Sequence, residues 1–177
     1  MQSLDRAITT DAFPLVNFDW EQLYDRHAGE VLGYLAKLLG DRERASELMQ
    51  DTFVRALRSD HTIREPAAVR GWLFETATNL ALNDRRRRAL LRFVPFSGAE
   101  HADDDAFDLG AEHVRASLRA LSSDEAVALL LRYHAGFSRS EIAVMVGAGE
   151  ETVKSRLARG RKNFMAAYGR LERGLAR

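Results

Sequence analysis

Apolar positions in the first half of the chain recur every three or four residues, the spacing of one buried helix face. The first such face comprises Leu23, Tyr24, His27, Val31, Tyr34, Leu35 and Leu38. Gly40-Asp41 breaks the pattern, and Asp41 is a suitable N-cap for a following helix. We therefore predict a helix from Trp20 to this break and a second helix directly after it.

The second and third predicted helices are separated by a polar loop at residues 59–68. The second runs to about Leu57, and its predicted buried stripe is Ala45, Leu48, Met49, Thr52, Phe53, Ala56 and Leu57. The third runs from about Ala67 to Leu91 and contains a tryptophan and several leucines and alanines.

Helical spacing resumes near Glu112, after a stretch in which no period holds. Ser122 or Ser123 is placed to cap the next helix. Residues 136–162 then predict a helix-turn-helix, with Ser138 or Ser140 capping its first helix. Gly147 and Gly149 would supply positive φ in the turn, and the valine and leucine at 153 and 157 would anchor the second helix.

No segment shows the alternation of a β-strand, so the predicted fold is all-α: two small helical bundles joined by an acidic flexible linker. We predict a flexible N-terminal lead at residues 1–17, a first bundle at 18–92, the linker at 93–111 and a second bundle at 112–177.

Charge is unevenly distributed along the 177 residues, although the net charge is zero. Residues 70–92 carry six basic and two acidic side chains, and residues 152–177 carry eight basic and one acidic. Between them, residues 93–113 carry six acidic side chains and no Lys or Arg. Two basic blocks around an acidic bridge favour two surfaces that face a polyanion.

Several function classes lack support in the sequence. No apolar run reaches the roughly 20 residues of a membrane span, and the N-terminus lacks the apolar core of a secretion signal. The chain has no cysteine, and its five histidines are scattered without metal-ligand spacing. We therefore expect a cytoplasmic protein that is not an enzyme and holds neither metal nor cofactor.

The second helix of the predicted helix-turn-helix is basic, as in helices that enter the DNA major groove. Arg and Lys pair with guanine edges or phosphates, although an ordinary solvated helix face has the same composition. The candidate DNA-binding residues are Arg139, Thr152, Lys154, Ser155, Arg156, Arg159 and Lys162.

Residues 114–164 resemble region 4 of bacterial RNA polymerase sigma factors. The resemblance lies in Leu131-Arg132-Tyr133, Glu141-Ile142-Ala143, the run Thr152-Val153-Lys154-Ser155-Arg156-Leu157 and Arg159-Gly160-Arg161-Lys162. Leu121-Ser122 departs from the usual Leu-Pro, but serine still caps a helix. The resemblance implies that these candidates read a −35 promoter element.

Residues 20–92 resemble region 2 of the same family. Glu47-Leu48-Met49-Gln50-Asp51-Thr52-Phe53 matches the segment that binds the clamp helices of the polymerase β′ subunit, which assigns Glu47, Gln50 and Asp51 to that contact. Taken alone, these three side chains fit a solvated helix face better, and it is the resemblance that favours the interface.

A second part of region 2 resembles the segment that recognises and melts the −10 element. The resemblance nominates Arg70, Trp72, Asn79, Asn83, Arg85, Arg86, Arg87 and Arg88. Asn79 is the candidate for a pocket that takes an unstacked base, whereas Trp72 fits core packing better. Glu75 and Thr78 stand where basic residues are common in the family, a departure that would weaken contacts with the DNA backbone or alter the −10 preference.

Two regions and a short linker match the extracytoplasmic-function (ECF) type of sigma-70 family member. This resemblance implies as partners core RNA polymerase (the β′ clamp helices and β flap), promoter DNA and an anti-sigma factor, through which the protein could be tethered to a membrane. In the family the linker enters the polymerase cleft, where Asp103-Asp104-Asp105 would mimic nucleic-acid charge; a solvated tether is the alternative. A LuxR-like DNA-binding regulator is the competing class, and it would explain residues 114–164 alone.

Overall fold

The computed structural model describes residues 19–58, 68–91 and 109–175. These residues form α1 (Trp20–Leu39), α2 (Arg42–Arg58), α3 (Val69–Leu91), α4 (Leu109–Arg119), α5 (Ser123–Leu129), α6 (Arg139–Met145) and α7 (Glu150–Leu175). A π-helical turn, Leu130–His134, extends α5. No β-strand occurs within the described ranges, so the all-α prediction is confirmed. The predicted N-terminal lead, all but the last residue of the predicted loop at 59–68, and most of the predicted linker lie outside those ranges.

The first bundle consists of α1, α2 and α3, and side-chain caps begin its first two helices. Asp19 Oδ1 accepts from the backbone N–H of Gln22 at 3.0 Å. Asp41 Oδ1 accepts from the N–H of Arg44 at 2.9 Å, which confirms Asp41 as the predicted cap of α2. The break between the two helices lies at Gly40, where α1 ends.

The core of this bundle follows the predicted stripes with two exceptions, and one of them is Tyr24 of α1, which is 42% exposed. Val31, Tyr34 and Leu35 of α1 and Leu48 of α2 are buried. Leu57 is 50% exposed, so its predicted place in the buried stripe was wrong. It lies in the last turn of α2, next to Ala56, which completes the buried row there.

Thr78 is also placed differently from the sequence expectation. It lies in the core, 1% exposed, where its hydroxyl donates to the Phe74 carbonyl at 2.7 Å. The Tyr34 hydroxyl, 2.8 Å away, therefore donates to Thr78, and burial raises the pKa of Tyr34. Because Thr78 faces α1 within the bundle, this position is not part of the exposed face of α3. A threonine in place of the family's common basic residue therefore removes no charge from that face.

The second bundle consists of α4, α5, α6 and α7. Ser122 caps α5 and Ser138 caps α6, each in a capping box with the glutamate three residues later. The hydrogen bonds with Ser138 lower the pKa of Glu141. Burial by itself raises the pKa of Glu125, but the hydrogen bonds with Ser122 outweigh it, together with that from Asn163, so that the pKa of Glu125 is also lowered. The helix α4 begins at Leu109, three residues before Glu112, near which helical spacing was predicted to resume. Helical structure thus extends upstream of the predicted apolar stripe.

Gly147 adopts φ +60° in the turn between α6 and α7, as predicted. The prediction for Gly149 was wrong, since its φ is not positive. It directly precedes α7, and its carbonyl accepts from the N–H of Val153 at 3.1 Å. That is the N-cap position, where the backbone is ordinarily extended.

Candidate promoter and polymerase interface

The helix-turn-helix consists of α6, the turn at residues 146–149 and the first turns of α7. Val153 and Leu157 are buried, 0% and 6% exposed, which fixes the rotation of α7 against its bundle. Thr152, Lys154, Ser155, Arg159 and Lys162 are exposed on α7, and Arg139 is exposed at the start of α6. The exposed residues Thr152, Lys154, Ser155, Arg159 and Lys162 lie on the side of α7 away from Val153 and Leu157, and we call them the α7 face.

Two of the predicted DNA-binding residues are engaged in ion pairs. Arg156 is half-buried, and its guanidinium lies 2.6 Å from Asp124 Oδ2 of α5. Lys154 Nζ lies 3.0 Å from Glu151 Oε2, and both of these side chains are solvent-exposed. The Arg156 pair joins two helices of the bundle, whereas an exposed pair such as that of Lys154 contributes little stability.

Gly160 explains how α5 and α7 cross so closely. A Cβ atom at this position would lie 3.2 Å from Leu129 Cγ and 3.3 Å from Glu125 Cβ. Asn163, one turn further along α7, donates to Glu125 Oε1 at 3.1 Å. Glycine thus allows the close crossing of α5 and α7, and a side chain at this position would have to displace Leu129 or Glu125.

The predicted core-polymerase contacts lie together on α2. Glu47, Gln50 and Asp51 are three and four positions apart, and all three are exposed, while Leu48 and Met49 between them are buried. Glu47 also pairs with Arg44 on the same helix. We call these three residues the α2 face.

The predicted −10 residues do not form one cluster. Arg70 and Arg85 are 15 positions apart on a single helix, or roughly 22 Å along its axis. Trp72, Asn79, Asn83 and Arg86 follow one another at helical spacing on one side of α3. Asn79, Asn83 and Arg86 are exposed there, and Trp72 is half-buried against the core, in agreement with the packing role preferred from sequence.

The arginines at the end of α3 also differ in their surroundings and partners. Arg86 Nη1 donates to Asn83 Oδ1 at 3.1 Å on the exposed side. Arg88 instead turns toward α2, where Nη1 lies 3.2 Å from Asp41 Oδ2 and Nε lies 3.0 Å from Asp84 Oδ2. Arg85 is half-buried, and Arg87 is exposed.

Asp84 is a structural residue that sequence reasoning missed. It is buried, 8% exposed, and Oδ1 accepts from Arg44 Nη2 at 2.7 Å and from Nε at 3.0 Å. Together with Arg88 it ties the end of α3 to the start of α2. The spacing of Asp84 and Arg88, four positions apart, was the available signal.

Arg70, the first of the −10 candidates, contacts the second bundle. Its Nε donates to Glu30 Oε2 of α1 at 2.9 Å, and its Nη2 donates to the carbonyl of Ala135 at 2.6 Å. The guanidinium carbon lies 4.4 Å from the centre of the Phe137 ring and 5.1 Å from that of Phe74. Sequence reasoning gave no indication of this contact between bundles.

An apolar groove of about 420 Å³ opens on the second bundle. Its lining includes Val114, Leu118, Leu130 and Phe164, together with Lys37 of α1 and Arg161 of α7. Within the described ranges, no group of three or more His, Asp or Glu side chains could hold a metal ion, and no helix has the length and apolarity needed to span a membrane.

Two helical bundles, one carrying a basic helix-turn-helix and the other a second arginine-rich helix, define a DNA-binding protein with two candidate contact surfaces. Sequence comparison matches residues 23–90 to "Sigma-70 region 2" and residues 112–164 to "Sigma-70, region 4". The ECF RNA polymerase sigma factor SigL of Mycobacterium tuberculosis is 32% identical over 142 residues, covering 76% of this chain and 80% of SigL. The sigma factor YlaC of Bacillus subtilis is 30% identical, covering 80% and 87%.

Solved structures agree with this comparison. The sigma factor RpoE in complex with the anti-sigma factor NepR, from Bartonella quintana, is similar at a TM-score of 0.70 and 25% identity, covering 84% of this chain and 96% of that one. CnrH in complex with the cytosolic domain of CnrY has the same fold, at a TM-score of 0.63, 24% identity and coverage of 83% and 85%.

The chain belongs to the sigma-70 family, as an ECF RNA polymerase sigma factor. It is thus a transcription initiation factor that binds core RNA polymerase and directs it to promoters. The LuxR-like alternative is not favoured, because it leaves the region 2 match unexplained.

Proposed function

We propose that the three exposed surfaces divide the work of promoter recognition. In this assignment residues 18–92 form the domain that binds polymerase and the −10 element, and residues 112–177 form the domain that binds the −35 element. Residues 93–111 join the two domains. The carrying observation is that burial of Val153 and Leu157 leaves the basic α7 face directed to solvent.

The α7 face reads the −35 element in the major groove. Lys154 and Arg159 are long, exposed and cationic, so they can reach guanine edges or phosphates. Thr152, Ser155, Lys162 and Arg139 supply further donors around them. Arg156, because of its ion pair with Asp124, positions α7 and reaches DNA only at the edge of the face.

On α3, the exposed Asn79, Asn83 and Arg86 meet the −10 element, and Arg85 and Arg87 hold its backbone. Asparagine amides can donate to and accept from an unstacked base edge, and arginines neutralise phosphates. Trp72 supports this face from beneath. Arg88 contributes chiefly by fixing α3 to α2, since two aspartates already engage it.

The α2 face binds the clamp helices of the β′ subunit. Glu47 and Asp51 present carboxylates and Gln50 an amide without apolar residues between them on the surface. Charged and polar groups of this kind set partner choice and association rate. Glu47 exchanges its pair with Arg44 for a basic side chain of polymerase.

An anti-sigma factor controls the protein, a role supported by the similar structure of RpoE in complex with the anti-sigma factor NepR. The apolar groove suits an amphipathic helix with an acidic edge, because the exposed Lys37 and Arg161 are part of its lining. Lys37 belongs to the first bundle and Arg161 to the second. A helix bound there would therefore contact both bundles at once.

The protein itself carries out no chemical step and acts in the cytoplasm, where RNA polymerase makes the transcript. Its contribution is binding energy and specificity.

The test combines the purified protein with core RNA polymerase and a genomic promoter library, followed by mapping of transcript start sites. Asp51→Lys should abolish association with core polymerase and leave binding of a −35 duplex unchanged. Glu21→Lys, the same charge change at an exposed position on α1, is the matched control and should retain both. A wild-type protein that fails to associate with core polymerase overturns the proposal.

A further inference from the structure

Two acidic residues begin α7, although most of the charged residues that follow in this helix are basic. Glu150 and Glu151 are the only acidic residues between positions 150 and 171, and both are exposed. The helix dipole stabilises a negative charge at a helix N-terminus, and this effect accounts for either residue equally well. Their positions around the helix distinguish them.

The rotation of α7 places the two acidic residues on different sides of the helix. Successive residues are separated by about 100°, so Glu151 lies roughly 200° around the helix from the buried Val153. Glu150 lies only about 60° from Val153 by the same spacing, beside the buried stripe. Glu151 therefore lies on the same side as the α7 face, one turn ahead of Ser155 in the row that continues to Lys162.

An ion pair with Lys154 holds the Glu151 carboxylate on this side of the helix. The Lys154 Nζ atom lies 3.0 and 3.3 Å from the two carboxylate oxygens. The side chain of Glu151 is 84% exposed and that of Lys154 is 57% exposed, so the pair is open to a ligand and contributes little to stability. Because the pair has no net charge, DNA phosphates repel it less than they would repel a lone carboxylate.

The two side chains of the pair have opposite hydrogen-bonding capacities. In a helix of this kind the N-terminal residues contact base edges in the major groove. A carboxylate can only accept hydrogen bonds, and cytosine presents there a single donor, its N4 amino group. Adenine also presents an amino donor, but its N7 acceptor lies beside that donor and opposes a carboxylate. Glu151 therefore suits cytosine, whereas the ammonium group of Lys154 suits the O6 and N7 acceptors of guanine.

We propose that Glu151 determines the base preference at one position of the −35 element by accepting a hydrogen bond from cytosine N4. Lys154 donates to a neighbouring guanine, and its contact with Glu151 positions both side chains. Part of the specificity comes from exclusion, because a carboxylate that faces guanine or thymine meets acceptors and no amino donor. This inference rests on the proposed −35 role of the α7 face, and it adds to that role an acidic residue that disfavours wrong sequences.

Transcription by the holoenzyme tests this assignment. The protein is assembled with core RNA polymerase on a promoter from the genomic library whose −35 base pairs have been randomised, and sequencing of barcoded transcripts gives the base preference at each position. We expect the wild type to prefer cytosine at one or more positions. Glu151→Ala should lower this preference at one of them by roughly 10-fold and leave the preferences at the other positions unchanged.

Glu151→Gln provides the more specific test, because it keeps the shape of the side chain and replaces one acceptor oxygen with an amino donor. Glutamine pairs with N6 and N7 of adenine, so the preferred base at the same position should change from cytosine to adenine. A residue that only stabilised the start of α7 would produce no such change. Glu150→Gln, the same substitution beside the buried stripe, is the matched control and should keep the wild-type preferences.

Three results would overturn the inference. The first is an unchanged set of preferences in both Glu151 variants. The second is a uniform loss across all −35 positions, which would assign Glu151 to the stability of α7. The third is a loss restricted to the guanine preference that Lys154→Ala also removes, because Glu151 would then act through Lys154 alone.

The same experiment separates this inference from the proposed function. A wild-type holoenzyme without any base preference in the −35 element rejects the proposed role of the α7 face, and this inference with it. Preferences that respond to Lys154→Ala and Arg159→Ala but not to either Glu151 variant keep the proposed function and reject only this inference.

Discussion

Arg44 and Asp84 form a two-point hydrogen-bonded ion pair that joins α2 to α3, with Nη2 and Nε 2.7 and 3.0 Å from the same carboxylate oxygen. The pair lies between two proposed functional surfaces. Arg44 also contacts Glu47 of the α2 face, and Asp84 holds Arg88 at the end of α3. One buried carboxylate therefore fixes the relative position of α2 and α3, which carry the proposed polymerase-binding and −10-binding residues.

Replacing Asp84 with Ala should destabilise the first bundle by about 2–4 kcal/mol, because two arginines lose a buried partner. The free energy of unfolding in urea measures the change. Arg86→Ala, on the exposed side of the same helix, is the control and should stay within about 0.5 kcal/mol of wild type. Equal stability of Asp84→Ala and wild type would show that solvent replaces the pair.

Gly160→Ala should destabilise the second bundle by about 1–3 kcal/mol. The new methyl group is forced against Leu129 and the stiff Glu125 Cβ, which outweighs the roughly 1 kcal/mol gained in helix propensity. Gly169→Ala on the same helix meets only the flexible end of Arg173 at 3.4 Å and should be neutral or stabilising. The thermal unfolding midpoints of the two variants, compared with that of the wild type, test this prediction. A Gly160→Ala variant more stable than the wild type would contradict the tight crossing of α5 and α7.

Acidification should destabilise the protein below about pH 6.5 through His27. Burial is the main cause that lowers its pKa, against the opposing effect of Glu30, and Arg70 adds to the lowering. A lowered pKa in the folded state means that this stability is present above 6.5 and is lost as the pH falls through the folded-state pKa. His134, whose pKa is lowered mainly by burial and then by Lys37, acts in the same direction.

Urea midpoints at pH 7.5 and 5.5 measure this dependence in a range above the titration of Glu125 and Glu141. His27→Gln should show a smaller loss of stability between the two pH values than wild type. An unchanged pH dependence in this variant would assign the effect to other groups.

Lys154→Ala and Arg159→Ala should each weaken binding of a −35 duplex by roughly 1–3 kcal/mol if the side chain reads bases. Titration against the specific duplex and an unrelated duplex measures both affinity and specificity. An equal loss on every sequence would reassign the residue to phosphate contact. Glu172→Ala, on α7 beyond the proposed face, should leave both affinities unchanged.

The sequence alone determined the helices and their inward faces. Helical spacing of apolar residues, together with Asp41 and the Ser-x-x-Glu boxes at Ser122 and Ser138, is local information that the chain carries directly. The segments that resemble regions 2 and 4 are likewise recognisable in the sequence, in the order in which the family has them. For this reason the all-α fold and the exposure of the α2 and α7 faces were predictable.

Only the tertiary structure decided which charged residues form ion pairs with distant parts of the chain. Arg70, Arg88 and Arg156 look alike in the sequence, yet each has an acidic partner on another helix, brought near by packing. Thr78 was expected among basic surface positions but faces Tyr34 in the core. Contacts between residues more than about 30 positions apart depend on how the helices cross, and amino-acid spacing within one helix contains no information about that geometry.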